Sequence, residues 1–544
     1  MGSGPASALL SSCSEAPLLS ATASPRFGEG LNRRTIANEA ALHQLSPPPY
    51  MPSVFDRIPG IQKLLLCEVA PRLTCLDLFV YSLYAGIVAF ANFYKNTDWE
   101  WSAKKNPLGP DLLRAGAISM AQVPLVIGLG GRNSPIRYLL GGGQSRAVIN
   151  LHKFSGRACF ACMLLHVVGY GYKWGKSGIF LSKVKEPAFV WGMTAAAGLT
   201  FMVVTSIPVV RRRLYSVFMI SHVIGLVGFL LGLGMHVPEA VPYVLAGAGL
   251  YGVELLCRIL KTKMATAELR VLPGTDSILV SVPSIKTGWR AGQHVILRVP
   301  ALGLQFLEGH AFTIASAPNT TAGLMLVVKR TGDWTRALWE LTMKNDAEMM
   351  ARGAAFRCKV AIEGPYGGVG HTLLAAFSCV MLVAGGSGIS HTLGMAHDLM
   401  NKASSQGAVR ATHLDIVWVV RTSDAARPWM HTLKSLIEDV KHTPLAVRLQ
   451  VRGFNPEPQL KWSCGSGSRI NIAQGRPDML RCLEDLLDSS LDFNATTGAH
   501  PRGCAVAVCG PSGLVDETRR ATTDLDADRR LRVNGIELMR ERFE

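Results

Sequence analysis

Residues 148–172 read VINLHKFSGRACFACMLLHVVGYGY, and residues 214–237 read LYSVFMISHVIGLVGFLLGLGMHV. Both stretches are long and apolar enough to cross a bilayer as helices, which takes about 20 residues. The first contains His152 and His166, and the second contains His222 and His236, so each pair is fourteen residues apart. On a helix that interval rises about 21 Å and returns to within roughly 40° of the same face. Each helix therefore presents two histidines on one side, one near each leaflet.

The matched spacing predicts two haems, because an iron with two axial histidines takes one from each of two facing helices. His152 and His222 would hold one haem, and His166 and His236 the other. The alternative is that each histidine is a polar residue bonded to a neighbouring helix. Ionisable residues at membrane depth are rare and usually functional, and two pairs with the same interval favour ligation.

Composition agrees with a chain that is partly embedded in a membrane. Of its 544 residues, 48% are hydrophobic, and the mean hydropathy is +0.23. The formal net charge is +17, but no nucleic-acid recognition motif or long basic run accompanies it. We therefore expect lipid and anionic nucleotides as partners, and no nucleic acid. Residues 1–60 are rich in Ser, Ala and Pro and predict a disordered tail.

A transmembrane helical domain is predicted over residues 61–262. Six apolar stretches of spanning length lie in it: Leu76–Tyr94, Leu113–Gly130, Val148–Tyr172, Ala188–Val210, Leu214–His236 and Val241–Ile259. An even number of spans puts both ends of the domain on one side. Because the half after residue 262 is predicted to bind cytosolic nucleotides, we expect that side to be the cytosol, with His152 and His222 towards it.

The second half changes to short apolar runs between turns. Ser277–Pro283 and His294–Val299 predict strands of a small barrel over residues 263–373. From residue 374 to 544, apolar runs alternate with Gly-rich turns and helical segments, which predicts an α/β domain. The segment Phe454–Gly503 is expected to be a largely irregular surface insertion.

Two motifs of the barrel domain suit a flavin dinucleotide. HAFTIAS at 310–316 sets short polar side chains beside an aromatic ring, as an isoalloxazine needs; the alternative is an ordinary barrel strand. KRTGDWT at 329–335 offers a basic side chain, amides and a hydroxyl to a pyrophosphate; the alternative is a hairpin turn before a helix.

Three features of the α/β domain suit a dinucleotide. AGGSGIS at 384–390 follows a buried run and opens a helix, so its glycines let a phosphate approach. Arg421 and Arg476 are candidates for the 2′-phosphate of NADPH, with solvated surface arginines as the alternative. Cys509 and Gly510 end the last strand, where a nicotinamide lies in such folds.

In their order and spacing, these motifs resemble the ferric reductase/NADPH oxidase family from about residue 75 onward. HKFSGR at 152–157, EGPYG at 363–367 and Phe543 near the end add to the resemblance. It implies a multi-domain fold, with a six-helix transmembrane haem-binding bundle followed by a ferredoxin reductase-type module, that is, an FAD-binding β-barrel and an NADP-binding α/β domain. Ala311 and His391 stand where the family usually has other residues.

The resemblance also implies site residues. His152, His166, His222 and His236 would be axial ligands of two b-type haems. FAD would be bound by His310, Phe312, Thr313, Lys329, Gly332 and Thr335. NADPH would be bound by Gly385, Gly386, Gly388 and Gly510, with Cys509 beside the nicotinamide and Phe543 over the flavin.

The implied activity is electron transfer from NADPH across a membrane to an acceptor. We expect a metalloreductase acting on ferric or cupric chelates at the plasma membrane, with an internal membrane as the alternative and an iron or copper transporter as a partner. The connection Val237–Ala240 is only a few residues long, whereas oxidases of the family have longer outer loops. The alternatives are a superoxide-producing NADPH oxidase and a non-catalytic scaffold.

Overall fold

A computed structural model describes the chain over residues 68–70, 73–93, 112–136, 146–272, 274–351, 355–368, 373–405, 409–421, 423–453, 461–463 and 467–542. These residues form two compact units, one that ends at Lys261 and one that begins at Thr262. We call them the membrane unit and the reductase unit.

The membrane unit is helical apart from a short hairpin at its start, β1 (Glu68–Ala70) and β2 (Leu73–Thr74). Its helices are α1 (Cys75–Phe93), α2 (Leu112–Ala121), α3 (Val123–Gly130), α4 (Arg146–Lys176), α5 (Phe180–Lys183), α6 (Pro187–Thr205), α7 (Pro208–Arg213), α8 (Tyr215–His236) and α9 (Val241–Lys261). A 3₁₀ turn, Pro238–Ala240, joins α8 to α9.

Five segments of the described residues are long and apolar enough to cross a membrane: Cys75–Phe93, Leu112–Gly130, Pro187–Thr205, Tyr215–His236 and Pro238–Lys261. The sixth predicted span is α4, which is 31 residues long. It carries two histidines and several lysines and arginines, so its average hydropathy is lower than that of the others. The spans confirm the prediction that the chain is a membrane protein.

Small residues bring α6 and α8 into close contact. A Cβ at Gly198 would lie 2.7 Å from the backbone nitrogen of Phe229, and one at Gly232 would lie 2.5 Å from that of Ala195. Packing of this kind is typical of membrane helices, whose association depends on close backbone approach. It holds the helix that carries His222 and His236 at a defined position.

The reductase unit begins with a six-stranded antiparallel sheet in the order β6-β5-β8-β3-β4-β7. Its strands are β3 (Thr262–Leu272), β4 (Ser277–Val282), β5 (His294–Arg298), β6 (His310–Thr313), β7 (Leu324–Lys329) and β8 (Phe356–Tyr366). A 3₁₀ segment, Pro300–Leu307, precedes β6, and helix α10 (Asp333–Ala351) follows β7. Leu269, Ile278, Leu297 and Leu326 are fully buried in its core, as the predicted barrel requires.

A seven-stranded sheet follows in the order β12-β13-β11-β10-β9-β14-β15, parallel except for β12. Its strands are β9 (Cys379–Gly385), β10 (His413–Val419), β11 (Ala446–Gly453), β12 (Lys461–Ser463), β13 (Arg469–Gln474), β14 (Cys504–Gly510) and β15 (Ile536–Arg542). Its helices are α11 (Ile389–Ser404), α12 (Arg427–Asp439), α13 (Met479–Thr497), α14 (Ser512–Asp524) and α15 (Ala527–Arg532). This is the predicted α/β architecture.

The expected irregular insertion contains regular structure. Residues Arg469–Gln474 form β13, which pairs in parallel with β11 and widens the sheet. The helix after it, Met479–Thr497, is 19 residues long. The prediction was wrong because this strand alternates polar with apolar residues, RINIAQ, whereas the central strands β9 and β14 are nearly continuous apolar runs, CVMLVAG and CAVAVCG.

Candidate functional site

The four histidines of the membrane unit face one another in two pairs. The ring centres of His152 and His222 are 6.4 Å apart, and so are those of His166 and His236. The ring planes are inclined by 60° in the first pair and by 80° in the second. With a metal–nitrogen bond of about 2 Å on each side, two imidazoles that share one metal have centres roughly 6 Å apart. Each pair therefore fits the two axial positions of one iron.

A hydrogen-bond partner at Nδ1 orients each imidazole. Three of the rings donate to a main-chain carbonyl of another helix: His152 to Val126 at 2.8 Å, His166 to Leu112 at 2.7 Å, and His236 to Ala188 at 2.6 Å. The fourth ring, that of His222, has the hydroxyl oxygen of Ser206 3.3 Å from Nδ1. Because a carbonyl only accepts, the proton of the first three lies on Nδ1, and Nε2 keeps its lone pair for a metal.

A glycine lies four residues after each of the three acceptor carbonyls. These glycines are Gly130, Gly116 and Gly192, and a Cβ there would lie 3.0 Å from Cε1 of His152, 2.7 Å from Nδ1 of His166 and 2.7 Å from Nδ1 of His236. In a helix, the carbonyl of one residue lies beside the backbone four residues later. A ring that bonds to the carbonyl therefore rests on the glycine, and only glycine leaves room for it.

Sequence reasoning missed these glycines. Their role depends on which helices are neighbours, and spacing within one helix carries no information about that. The signal that would have found them is a glycine four residues after a residue facing a histidine, which is visible only once the helices are paired.

Buried apolar side chains occupy the helix positions midway between the two pairs. Cys159 on α4 and Phe229 on α8 are each seven residues from both histidines of their helix, and they are 2% and 6% exposed. Both belong to one cluster of buried residues in the membrane unit. The thiol of Cys159 donates to the carbonyl of Ser119 at 3.4 Å, so it serves packing between α4 and α2.

In the barrel, the predicted flavin residues lie against a tryptophan that sequence reasoning did not select. The ring centres of His310 and Phe312 are 4.5 Å and 5.9 Å from that of Trp334. Trp334 is 2% exposed, and its indole donates to the carbonyl of Gln305 at 3.2 Å. Thr313 ends the same strand, β6. The rings of His310 and Phe312 are inclined by 32° and 30° to that of Trp334, and together the three rings offer an aromatic surface suited to support a flat heterocycle.

The turn that was expected to bind phosphate is held together by hydrogen bonds between its own residues. The hydroxyl oxygen of Thr335 accepts from the backbone N–H groups of Thr331 and Gly332, both at 2.9 Å, and its hydroxyl lies 3.0 Å from the carbonyl of Gly332. A phosphate bound here would share or replace these bonds. Lys329 ends β7 with an exposed side chain. The roles of Lys329, Gly332 and Thr335 stay predictions.

The two predicted NADPH motifs meet at the carboxyl-terminal edge of the parallel sheet, where its strands end. Strand β9 ends at Gly385 and its neighbour β14 ends at Gly510, and a Cβ at Gly510 would lie 3.2 Å from the nitrogen of Gly385. Gly386 has a φ of 54°, which side chains disfavour. Helix α11 begins directly after Gly388, so its free N–H groups lie at this edge. The indole of Trp418 donates to the carbonyl of Gly386 at 3.0 Å and holds the loop.

Cys509 is also placed at this edge. It is 7% exposed, and burial raises the pKa of its thiol to about 12, with Glu541 adding to the effect. The side chain is therefore a neutral thiol at physiological pH, not a nucleophilic thiolate. It is suited to contact an uncharged ring, which is the contact that the sequence predicts with nicotinamide.

Arg476 lies in a groove of about 640 Å³ between the β11–β13 edge of the sheet and α13. Five arginines line it: Arg448, Arg452, Arg469, Arg476 and Arg481. Arg448 is 8% exposed and its Nε binds Asp415 at 2.6 Å. Its buried Nη2 has no hydrogen-bond partner among the described residues. Guanidinium groups in this number complement a phosphate, and sequence reasoning selected only one of them.

One predicted residue is not brought to these sites, and another lies outside the described residues. Arg421 follows β10 with an exposed side chain and does not line the arginine groove. Phe543 lies outside the described residues, which extend to residue 542.

Family models match three successive segments of the chain. Residues 115–233 match a ferric reductase-like transmembrane component, residues 261–369 match an FAD-binding domain, and residues 377–451 match a ferric reductase NAD-binding domain. These matches confirm the resemblance and the order of domains that the sequence predicts. They also show that the reductase unit binds FAD and NAD(P), as an oxidoreductase does.

Curated fungal proteins resemble the chain over much of its length. Ferric reductase transmembrane component 1 of Schizosaccharomyces pombe is 26% identical over 65% of this chain and 67% of that protein. Ferric reductase transmembrane component 5 of Saccharomyces cerevisiae is 26% identical over 84% of this chain and 64% of that protein. The chain thus spans about two thirds of the length of these relatives. A solved ferredoxin reductase of carbazole 1,9a-dioxygenase is 17% identical, with a TM-score of 0.33, over 52% of this chain and 70% of that one.

Proposed function

Because the chain carries the transmembrane, FAD-binding and NAD-binding domains of the ferric reductase family, we propose that it transfers electrons from NADPH across a membrane to ferric or cupric ions. Two b-type haems and FAD are the proposed cofactors besides NADPH. The relatives in yeasts are named as ferric reductase components. Their names and the domains of this chain support the same class of reaction.

The observation that carries the proposal is the geometry of the histidines. Two pairs of rings with centres 6.4 Å apart, fourteen residues apart along each helix, match two irons stacked across a bilayer. Their Nδ1 protons are held by backbone carbonyls at three of the four positions. That leaves Nε2 of these three rings for an iron, which is the arrangement that ligating histidines share.

The residues of the reductase unit bind the two nucleotide cofactors in this proposal. When bound, these groups would supply hydride donation from NADPH, one-electron delivery from FAD with release of the proton, and single-electron relay through the haems. His310, Phe312 and Trp334 support the flavin ring, and the loop of Gly385, Gly386 and Gly388 with the N-terminus of α11 binds the NADPH pyrophosphate. Cys509 and Gly510 pack beside the nicotinamide. Arg476 and Arg452 in the arginine groove bind the 2′-phosphate, which would make NADPH the preferred donor.

The proposed acceptor site is at the end of the bundle that holds His166 and His236. Directly after His236, the chain crosses to α9 through a single 3₁₀ turn, Pro238–Ala240. A connection this short supports a haem that donates to a metal chelate in solution. We propose the plasma membrane as the location, the cytosol for the reductase unit, and a transporter for the reduced ion as the partner.

Cells that express the chain provide the test. Reduction of a ferric chelate by intact cells should rise above background with the wild type. It should return to background with His222→Ala, while Gly171→Ala, a change on α4 that meets no neighbour within 4 Å, should retain it. Absence of chelate reduction with a full haem spectrum would count against a metalloreductase, and a flavin-dependent superoxide signal in the same cells would favour an oxidase.

A further inference from the structure

Among the residues described in the membrane unit, Glu254 is the one charged side chain that is buried. It is 5% exposed on α9, seven residues before the end of that helix at Lys261. Seven residues correspond to a rise of about 10 Å. A carboxylate that far from the helix end costs free energy unless it is bonded, and such residues usually have a function.

Glu254 holds the loop that follows α3. Its Oε2 accepts a hydrogen bond from the backbone N–H of Asn133. The side-chain oxygen of Asn133 in turn accepts from the ammonium of Lys261 at 2.6 Å. Glu254 and Lys261 are seven residues apart and therefore on one face of α9. One face of α9 thus binds both the backbone and the side chain of Asn133.

This loop is the continuation of the helical turn that holds His152. The carbonyl of Val126 accepts the bond from Nδ1 of His152 at 2.8 Å, and the same ring rests on Gly130, the last residue of α3. At the next residue, Gly131, a Cβ would lie 3.3 Å from Oε2 of Glu254. The carboxylate therefore lies behind the turn whose other side contacts the imidazole.

We propose that Glu254 is a positioning residue for the haem held by His152 and His222: by binding Asn133, it keeps the last turn of α3 against His152 and sets the orientation of that imidazole. The proposal rests on the proposed function, since it assigns a residue to one of its two haems. It predicts an effect that is confined to this haem, because the contacts of His166 are made by α2.

Single-haem backgrounds isolate the effect. His166→Ala would leave the haem of His152 and His222, and His152→Ala would leave the other. In the His166→Ala background, full-length protein with Glu254→Ala should show a changed low-spin electron paramagnetic resonance signal and a shifted reduction potential, because both report the imidazole orientation and its hydrogen bond. Its haem affinity should fall, by no more than the roughly 10- to 100-fold that is lost when a direct hydrogen-bond partner of a ligand is removed.

Two further variants keep the test decisive. Glu254→Gln retains an oxygen that can accept the Asn133 N–H bond, so it should restore the wild-type signal. Glu239→Gln, an exposed carboxylate in the turn before α9, should change nothing. In the His152→Ala background, Glu254→Ala should leave the remaining haem as it is.

The proposal is overturned if Glu254→Ala retains haem with the wild-type resonance signal and potential, or if it changes both haems equally. If Glu254→Ala does not accumulate, wild-type behaviour of Glu254→Leu, which accepts no bond, would overturn it instead. Failure of the proposed function looks different, because the histidine variants themselves would then leave the haem spectrum unchanged.

Discussion

The backbone of Gly130 lies against the imidazole of His152, so that a Cβ at residue 130 would be 3.0 Å from Cε1 and 3.1 Å from Nδ1 of that ring. The same relation links Gly116 with His166. Each of these proposed haem ligands is thus held by two contacts, with the carbonyl that accepts its proton and with the glycine on which it rests. Because the two contacts come from one turn of one helix, a change at either should alter the binding of the proposed haem.

The first prediction concerns these glycines. Gly130→Ala should displace His152, and Gly116→Ala should displace His166, because the added methyl group overlaps the ring. Each variant should lose about half of the haem absorbance in a reduced-minus-oxidised spectrum. Gly171→Ala is the control, since it adds the same methyl group on α4 where nothing lies within 4 Å. In an exposed helix this change is expected to stabilise by about 1 kcal/mol. Full haem content in both test variants would contradict the prediction.

Trp334 should be needed for flavin retention. Trp334→Ala removes the ring that contacts His310 and Phe312 and should destabilise the barrel by about 3–5 kcal/mol. Trp334→Phe keeps an aromatic ring and should keep most of the FAD. The measurement is FAD released per protein, read by fluorescence. Trp289→Phe, in the same buried cluster, shows whether any tryptophan loss there has the same effect; if it releases as much FAD as Trp334→Ala, Trp334 has no special role.

The arginine groove should determine the preference for NADPH. Arg476→Ala and Arg452→Ala should each raise KM for NADPH about tenfold, equivalent to ~1.4 kcal/mol, and leave KM for NADH unchanged. The reason is that only NADPH carries the 2′-phosphate that a guanidinium binds. Arg421→Ala is the matched comparison, because Arg421 does not line the groove. An effect of Arg421→Ala that exceeds that of Arg476→Ala would place the 2′-phosphate elsewhere.

Acid should destabilise the reductase unit through two buried histidines. His391 and His397 are each 3% exposed, and burial lowers the pKa of each to about 4, with His294 adding to the effect at His391. His397 also accepts a bond from the backbone N–H of Ala317 at 3.3 Å, which only an unprotonated nitrogen can do. In the unfolded chain both imidazoles have a pKa of about 6.5, so the unfolded state binds more protons below that pH.

The destabilisation that arises from these two histidines is therefore absent above about pH 6.5. As the pH drops towards 4, the free energy of unfolding falls by about 3 kcal/mol for each histidine at most. Thermal unfolding followed by flavin fluorescence at pH 7.5, 6 and 5 should show this loss. His397→Gln should reduce the pH dependence. His442→Gln, at an exposed position on the same unit, should leave the slope as in the wild type. A slope that His397→Gln does not alter would assign the acid sensitivity to other groups.

The structure confirms the predictions that depend only on residues close together in the sequence. The apolar runs around Val383 and Val506 form the buried strands that they predict. Strand β13 was not foreseen, because its sequence RINIAQ contains only two large apolar residues and lacks the continuous apolar run that marks the central strands β9 and β14. Arg421 and Arg476 looked equivalent in the sequence. Only the order of the strands separates them, since Arg476 follows β13 beside the groove and Arg421 does not reach it.

The sequence by itself determined that His152 and His166 lie on one face of a helix, and likewise His222 and His236, because the helical repeat places residues fourteen apart nearly in line. Only the tertiary structure determined which groups contact each imidazole and support it. The contacts of His152 with Val126, and of Glu254 with Asn133, join residues 26 and 121 positions apart. These contacts form only when the helices pack, because helix packing, and not the periodicity within one helix, determines which backbone groups lie beside each histidine and beside the carboxylate.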